Sequence, residues 1–145
     1  MEEIQLQKIQ TSDENETYNV GVEFGNTLIG GETILMFGEA GAGKTVLTKG
    51  IAKSLGIESR VTSPTFALKN EYVGRLPLHH LDMYRIENQD EAFESGALDD
   101  ISDEKSVTIV EWADNVIDFF NFPHMRIYVD YLSATAREIR FTKVK

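Results

Sequence analysis

The sequence predicts an α/β fold, in which helices cover both faces of a mixed sheet and so form three layers. Segments of strand length alternate along the chain with segments whose apolar residues recur at helical spacing. Two pairs of consecutive strands are typical of antiparallel hairpins, whereas a strand–loop–helix unit in the first half is typical of a parallel sheet. With 145 residues, 41% of them hydrophobic, we expect one domain, residues 1–145, with a core of its own.

The predicted elements follow the order strand, helix, strand, helix, hairpin, helix, strand, helix, hairpin. Single strands are predicted at residues 3–10, 33–37 and 107–110, and hairpins at residues 66–83 and 125–144. Helices are predicted after Thr11, after the loop at residues 38–43, after Asn88 and around residues 116–120. The run at residues 107–110 is continuously apolar, so we expect this strand to be buried on both faces.

The first predicted helix has a start signal, an end signal and two internal glycines. Thr11 has Glu14 three positions later, which is the spacing of a capping box, and this predicts a helix N-terminus at Thr11. Gly21 and Gly25 lie within the helix, which indicates close packing against another element. The glycine pair at residues 30–31 is predicted to end the helix.

A glycine-rich loop follows the strand at residues 33–37. Residues 38–45 read Gly-Glu-Ala-Gly-Ala-Gly-Lys-Thr and match G-x-x-x-x-G-K-[ST], the phosphate-binding P-loop motif. Its glycines let backbone N–H groups surround an anion, and the N-terminus of the following helix adds partial positive charge. Lys44 is expected to reach the β- and γ-phosphates, and the Thr45 hydroxyl to hold Mg²⁺. The motif therefore predicts a three-layer sandwich like that of the P-loop NTPases.

Two carboxylates at the ends of predicted strands are candidate partners for a bound Mg²⁺. Asp82 ends a mixed strand, and Glu111 directly follows the most apolar strand of the chain. Because ligands of α/β sheets bind at the carboxyl ends of strands, both side chains are expected near the P-loop. One would lie near the metal while the other orients the attacking water, although either could instead cap a loop.

Two further features each have an interpretation besides the functional one, and a third argues against a zinc site. Trp112, the only tryptophan, would either stack on a nucleobase or belong to the core in a half-buried position. The Ser63-Pro64-Thr65 loop would either approach the γ-phosphate as a switch or form an ordinary turn. His79 and His80 are adjacent in a predicted strand, so they point to opposite faces and cannot share a zinc ion.

The charge balance limits the classes of partner. The 14 basic and 24 acidic residues give a net charge of −10, so the protein surface repels nucleic acid and a direct, broad contact with RNA or DNA is not expected. The chain contains no cysteine, which excludes disulfides and thiolate metal sites. No segment has the length and apolarity of a membrane span, and the N-terminus is unlike a signal peptide. We therefore expect a cytoplasmic protein.

Several motifs in order resemble the TsaE (YjeE) family of bacterial P-loop ATPases, over nearly the whole chain. The motifs that carry the resemblance are residues 38–45, Ser63-Pro64-Thr65-Phe66, Glu71-Tyr72, Leu76-Pro77-Leu78, His80-x-Asp82-x-Tyr84-Arg85, Gly96-x-Leu98-Asp99 and Val110-Glu111-Trp112. Ala136-Arg137-x-Ile139 also resembles a family segment that comes close to the nucleotide. The family often has Asp-Leu where this chain has Glu39-Ala40, but those positions make mainly backbone contacts.

The resemblance implies roles for individual residues. Lys44 would contact the phosphates, and Thr45 and Glu111 would hold Mg²⁺. Asp82 would be a second acidic residue at the metal, and hydrolysis would require it. Thr65 would lie near the γ-phosphate and Trp112 near the adenine. The implied nucleotide-binding set is Gly38, Glu39, Ala40, Gly41, Ala42, Gly43, Lys44, Thr45, Val46, Thr65, Trp112 and Arg137.

The resemblance also implies a function. The family takes part in forming threonylcarbamoyladenosine on tRNA, so we expect ATP and Mg²⁺ as cofactors and an ATPase that drives a conformational cycle of the TsaB–TsaD complex. tRNA would be contacted only indirectly, through that complex. Two other functions remain open. A small-molecule kinase would usually need an arginine-bearing lid, which the sequence lacks, and a nucleotide-dependent binding module without hydrolysis would have less need of two acids.

Overall fold

The computed structural model describes residues 1–64, 68–101 and 103–145. The strands are β1 (Glu3–Thr11), β2 (Thr33–Phe37), β3 (Lys69–Tyr72), β4 (Leu78–Asp82), β5 (Val107–Glu111), β6 (His124–Tyr131) and β7 (Arg137–Val144). The helices are α1 (Glu14–Gly25), α2 (Lys44–Ser54), α3 (Gln89–Ser95) and a 3₁₀ helix, η1 (Ala113–Phe119). The expectations for Thr65 and for the beginning of the first hairpin at Phe66 lie outside the described residues.

The seven strands form one mixed sheet in the order β1-β7-β6-β2-β5-β4-β3. The four central strands, β6, β2, β5 and β4, pair in parallel, whereas the pairs at both edges are antiparallel. The two predicted hairpins are β3–β4 and β6–β7. The α/β class and the mixed sheet predicted from the sequence are therefore confirmed.

Helices cover both faces of this sheet because the central strands are apolar on both faces. In β2, Ile34 and Met36 belong to a core cluster with Leu47 of α2, whereas Leu35 between them belongs to a second cluster with Val116 of η1. Successive strand residues point to opposite faces, so one strand contributes to both cores. We call the first face the α1–α2 side and the second face, covered by α3, η1 and the loop between α3 and β5, the α3–η1 side.

The two helices of the α1–α2 side contact each other through glycines. A Cβ on Gly21 would lie 2.4 Å from the Leu47 carbonyl oxygen, and a Cβ on Gly50 would lie 2.1 Å from the Tyr18 carbonyl oxygen. Both distances are far shorter than a van der Waals contact, so only glycine permits this approach of the helix backbones. The close packing predicted from Gly21 and Gly25 is confirmed.

The predicted limits of α1 were wrong at both ends. The N-cap is Asp13, whose side chain accepts a hydrogen bond from the Glu16 backbone N–H, while the Glu16 carboxylate accepts one from the Ser12 N–H. Thr11 is instead the last residue of β1. The helix ends at Gly25 rather than at the later glycine pair. None of the helices in the described ranges has the length and apolar character needed to cross a lipid bilayer.

Candidate functional site

The P-loop connects β2 to α2, and its glycines have backbone conformations that other residues rarely adopt. Gly41 has φ 79° and Gly43 has φ 109°, and Gly43 is also the N-cap residue of α2. Because α2 begins at Lys44, its free backbone N–H groups and the positive end of its dipole face the loop. The backbone therefore supplies the donors that an anion requires, without any contribution from side chains.

Two residues that flank the turn between β6 and β7 donate hydrogen bonds to carbonyl groups of the P-loop. The Tyr131 hydroxyl donates a hydrogen bond of 3.1 Å to the Ala40 carbonyl, and Arg137 Nε donates one of 2.8 Å to the Ala42 carbonyl. The Arg137 guanidinium also lies over the Tyr131 ring, 4.4 Å from its centroid. Arg137 was expected to contact nucleotide, but in the structure its guanidinium bonds the backbone of the loop. A direct nucleotide contact for Arg137 stays a prediction.

Lys44 projects from the start of α2 into the space beside the carboxyl ends of β4 and β5. Only 5% of this residue is exposed, and its Nζ lies 3.8 Å from Glu111 Oε1 and 4.0 Å from the centroid of the Trp112 ring. Burial lowers the pKa of the Lys44 ammonium group, and the negative charge of Glu111 is the largest of three charges that oppose this shift. The ammonium group thus lies largely buried, with the Glu111 carboxylate as its nearest negative charge.

Asp82 and Glu111 are cross-strand neighbours at the ends of β4 and β5, and both are buried. Asp82 Oδ1 accepts a hydrogen bond of 2.9 Å from the Tyr84 backbone N–H, and Asp82 Oδ2 lies 3.5 Å from the Ser63 hydroxyl. The two acids predicted from strand ends therefore lie side by side next to Lys44. Hard oxygen donors in this arrangement have the chemistry that Mg²⁺ prefers.

His80 is a site residue whose role was not predicted. Its side chain is fully buried, and its Nε2 lies 2.5 Å from Glu111 Oε2, so the imidazole fixes the orientation of that carboxylate. His79 faces the other way, towards Glu71 and Asp100, which confirms that the two histidines point to opposite faces. The alternation of β4 places His80 on the same face as Asp82, and that spacing was the available signal.

Glu71, His79 and Asp100 lie close enough together to suggest a metal site, but a lysine is already among them. The Lys69 ammonium group is 2.5 Å from Asp100 Oδ2 and 3.2 Å from Glu71 Oε1. Its hydrogen bond lowers the pKa of Asp100, and the same bond raises the pKa of Lys69. The arrangement is therefore best described as an ion-pair network at the β3 edge of the sheet.

Trp112 follows Glu111 in a left-handed backbone conformation, with φ 56°. Such a conformation costs a non-glycine residue about 1–3 kcal/mol, and strain of this kind clusters at functional sites. The ring contacts the Tyr84 ring edge-to-face at 5.1 Å and is half-buried. Because it also covers the Lys44 ammonium group, Trp112 lies at the cationic end of the site. Its expected contact with adenine stays a prediction, and this position favours a contact nearer the phosphates.

Together these groups line an open cleft of about 450 Å³ between the P-loop and the strand ends. Its lining residues are Ala40, Gly41, Gly43, Lys44, Thr45, Val46, Ser63, Asp82, Tyr84, Glu111 and Trp112. Gly38 and Glu39 line an adjoining cavity with Lys44 and Trp112, and Arg137 lines another with Glu14 and Thr17. Ala42 is fully buried, and its backbone N–H and carbonyl are hydrogen-bonded to Glu39 and Arg137, so its expected contact with nucleotide stays a prediction.

Comparison with known proteins supports one family. A family model described as "Threonylcarbamoyl adenosine biosynthesis protein TsaE" matches residues 11–139, and thus most of the chain. The chain belongs to the TsaE family. The family takes part in threonylcarbamoyladenosine biosynthesis, so the resemblance inferred from the sequence motifs is confirmed.

Two curated relatives and one solved structure illustrate the similarity. The TsaE protein of Bacillus subtilis is 39% identical over 115 residues, covering 79% of this chain and 71% of that protein. The TsaE protein of a Nostoc species is 49% identical over 87 residues, which cover 59% of this chain and 54% of that relative's length. The crystal structure of Bacillus subtilis YdiB superposes with a TM-score of 0.81 at 32% identity, covering all of this chain and 89% of that one. This neighbour supports a P-loop NTPase-like fold.

Proposed function

We propose that this protein binds Mg²⁺ and ATP in the cleft and hydrolyses ATP, and that hydrolysis drives a conformational cycle of the TsaB–TsaD complex during tRNA modification in the cytoplasm. The observation that carries this proposal is the convergence of three buried charged groups beside the P-loop. Lys44, Asp82 and Glu111 come from three different elements and line one cleft. Charges are rarely buried together without a function, because removing them from water costs several kcal/mol per ion.

The residues of the cleft fit a Mg²⁺–nucleotide. The P-loop offers backbone donors in left-handed glycine conformations, and α2 presents its N-terminus to the same space. Lys44 offers one ammonium group for the phosphates, Thr45 a hydroxyl and Asp82 and Glu111 carboxylates for the metal. A bound Mg²⁺–ATP would supply the phosphoanhydride bond that is cleaved.

The two carboxylates have different surroundings, which suggests different roles. Glu111 is held by His80 on one oxygen and lies near Lys44 with the other, so it has a fixed position suited to a metal ligand. Asp82 has different neighbours: one oxygen lies 3.5 Å from the Ser63 hydroxyl, and the other accepts a hydrogen bond from the Tyr84 backbone N–H. We assign Glu111 to the metal and Asp82 to the metal's surroundings and to the orientation of the attacking water.

Hydrolysis by the protein alone should be slow. No arginine lines the cleft in the part of the chain that the structure describes. A group that neutralises the charge developing on the γ-phosphate can be worth about 10³–10⁵ in rate when a partner supplies it. We therefore propose that docking of TsaB–TsaD raises the rate, and that the ATP-bound form docks more tightly than the ADP-bound form.

The test is ATP hydrolysis and nucleotide binding, each with and without TsaB–TsaD, for the wild type, three variants of cleft residues and one control variant. Lys44→Ala should abolish most turnover, Glu111→Ala should weaken Mg²⁺-dependent binding, and Asp82→Ala should lose turnover more than affinity. Lys49→Ala, an exposed lysine on the same helix, is the control and should behave as wild type. Wild-type turnover in Lys44→Ala would refute the ATPase proposal. Unchanged turnover on adding the complex, with equal docking in ATP and ADP, would refute the partner-driven cycle.

A further inference from the structure

The net charge of the protein is confined to one segment. Residues 87–118 contain 11 of the 24 acidic residues and only one of the 14 basic residues, Lys105. The rest of the chain therefore carries 13 acidic and 13 basic residues and is neutral, while this acidic segment (residues 87–118) carries the whole net charge of −10. Such an uneven distribution costs stability through repulsion, so it calls for a reason.

The acidic segment builds the α3–η1 side of the sheet. Of its 11 acids, Glu111 is buried and Asp100 half-buried, and the others are exposed: Glu87, Asp90, Glu91, Glu94, Asp99, Asp103, Glu104, Asp114 and Asp118. They lie just before and on α3, on the loop that follows it and on η1. This side therefore presents a negative surface, which attracts a positively charged one over roughly a Debye length, about 8–10 Å.

An apolar groove lies within this negative surface. Leu98, Ile101, Phe119 and Phe122 line a groove of about 310 Å³ between the loop and η1. Phe93 stands beside it, half exposed, with its ring edge-to-face against Phe119 at 5.2 Å. Apolar anchor sites surrounded by a charged rim are the usual anatomy of a protein–protein interface.

We propose that the acidic segment is a docking surface for a protein whose contact face carries lysine and arginine side chains around an apolar residue that enters the groove. This inference rests on the proposed function, in which the docking protein is the TsaB–TsaD complex. Nucleic acid is repelled by this surface. A second copy of the chain in a two-fold contact would place the same negative surface against itself, which is also unfavourable.

The position of η1 connects this surface to the cleft. η1 begins directly after Trp112, and Asp114 lines a cavity together with Trp112 and Lys44. The Asn115 side chain donates a hydrogen bond of 2.9 Å to the Ile86 carbonyl, which ties η1 to the segment that follows Asp82 and Tyr84. A protein bound to this surface therefore lies next to the groups that would hold the nucleotide.

The experiment measures binding of purified TsaB–TsaD to two double charge reversals and one apolar truncation. Glu94→Lys with Asp118→Lys places two positive charges next in sequence to Phe93 and Phe119, whereas Glu2→Lys with Glu23→Lys makes the same net change at exposed positions of the neutral part of the chain. We expect the first pair to weaken binding about tenfold or more, and the control pair about twofold at most. Phe93→Ala should also weaken binding about tenfold, as an anchor residue does.

None of the substituted residues belongs to the cleft, so a folded variant should keep its intrinsic nucleotide binding. Nucleotide binding and the thermal midpoint therefore show whether each variant is folded. Should a variant unfold, amide hydrogen exchange of the wild type decides instead, since docking should protect α3 and η1. Equal binding by both charge-reversal pairs, or no protection of these elements in the complex, overturns the docking surface while leaving the proposed function intact. If wild-type protein fails to bind TsaB–TsaD at all, the partner-driven function fails and this inference fails with it.

Discussion

The two sides of the sheet are built on different principles. On the α1–α2 side, helices of 12 and 11 residues approach each other through glycines, and their contact admits no added atom. On the α3–η1 side, two helical segments of seven residues each pack by aromatic edges and leave Phe93 half exposed. The first side belongs to the neutral part of the chain, whereas the second carries the whole net charge.

The cleft lies where these two sides meet, and each contributes a different kind of group. The P-loop backbone and Lys44 come with α2, from the closely packed side, which suits donors that must be fixed before a ligand arrives. The carboxylates come from β4 and β5, whose chain continues directly into the exposed, acidic side. The two sides therefore have different roles in the proposed function. The α1–α2 side keeps the phosphate-binding groups in fixed positions, whereas binding of a partner to the α3–η1 side would change the surroundings of the two carboxylates.

The largest expected effect concerns the contact between α1 and α2. Gly50→Ala should lower the free energy of unfolding by about 2 kcal/mol, because the added methyl group meets the Tyr18 carbonyl and forces the helices apart despite alanine's better helix propensity. For a chain of this size the thermal midpoint should fall by roughly 4–8 °C. Urea denaturation of Gly50→Ala beside Lys49→Ala, an exposed control one position away, measures the effect. Equal stability of the two variants would contradict the rigid contact.

The sequence was informative about this side because a glycine pattern reports directly on close approach. It was less informative about where α1 begins, since Thr11, Ser12 and Asp13 are consecutive and all three residue types are good N-caps. Tertiary structure selects among them. Thr11 pairs with Arg137 in the ladder between β1 and β7, so it remains in the strand and Asp13 becomes the cap.

The site was predictable where it depends on the ends of strands, and not where it depends on distant contacts. Asp82 and Glu111 were found because a carboxylate after an apolar strand emerges at a sheet edge where ligands bind. The role of His80 was missed, since alternation shows which face a side chain points to but not which group it meets. The bond from Arg137 to the Ala42 carbonyl joins residues 95 positions apart, so no local pattern could reveal it.

The second prediction tests whether the turn between β6 and β7 fixes the P-loop. Tyr131→Phe and Arg137→Lys each remove a donor to a loop carbonyl, so nucleotide affinity should fall about two- to tenfold, in line with about 0.5–1.5 kcal/mol per hydrogen bond. Lysine keeps the positive charge but lacks the guanidinium fork. If Arg137 instead contacts phosphate as a charge, Arg137→Lys should retain most of the affinity and Tyr131→Phe should have no effect.

The matched control for this pair is Arg140→Lys, on the same strand. Arg140 lies over the Tyr128 ring and near Asp130 and Glu138, and no hydrogen bond joins it to the P-loop among the described residues. Its replacement should leave nucleotide affinity unchanged. Calorimetric titration of the four proteins with the same nucleotide, in the presence of Mg²⁺, measures the effect. An equal loss in Arg140→Lys would show that general destabilisation of β7, not the clamp on the loop, is responsible.

The smallest expected effects come from replacing one glutamate by glutamine in each part of the chain, Glu3 in the neutral part and Glu94 in the acidic segment. Glu3 accepts hydrogen bonds from Tyr128 and Thr142. Burial raises the pKa of the Glu3 carboxyl group, but these bonds and the charge of Arg126 outweigh burial, so the pKa is lowered. A carboxylate with a lowered pKa stabilises the fold at neutral pH, and this contribution is lost as the pH falls through that lowered pKa. Solvent screens this partly exposed group, so Glu3→Gln should cost at most about 1 kcal/mol.

Glu94→Gln should act in the opposite direction. Glu94 is exposed in the acidic segment and lies near the C-terminus of α3, where a negative charge also opposes the helix dipole. Removing that charge should raise the free energy of unfolding at pH 7 by about 0.3–0.5 kcal/mol. Urea denaturation at pH 7 should therefore give changes of opposite sign for the two variants, and the gain in Glu94→Gln should vanish in 1 M salt, where the Debye length is about 3 Å. Changes of the same sign would mean that the acidic segment does not repel itself, and that its charge needs no partner to offset it.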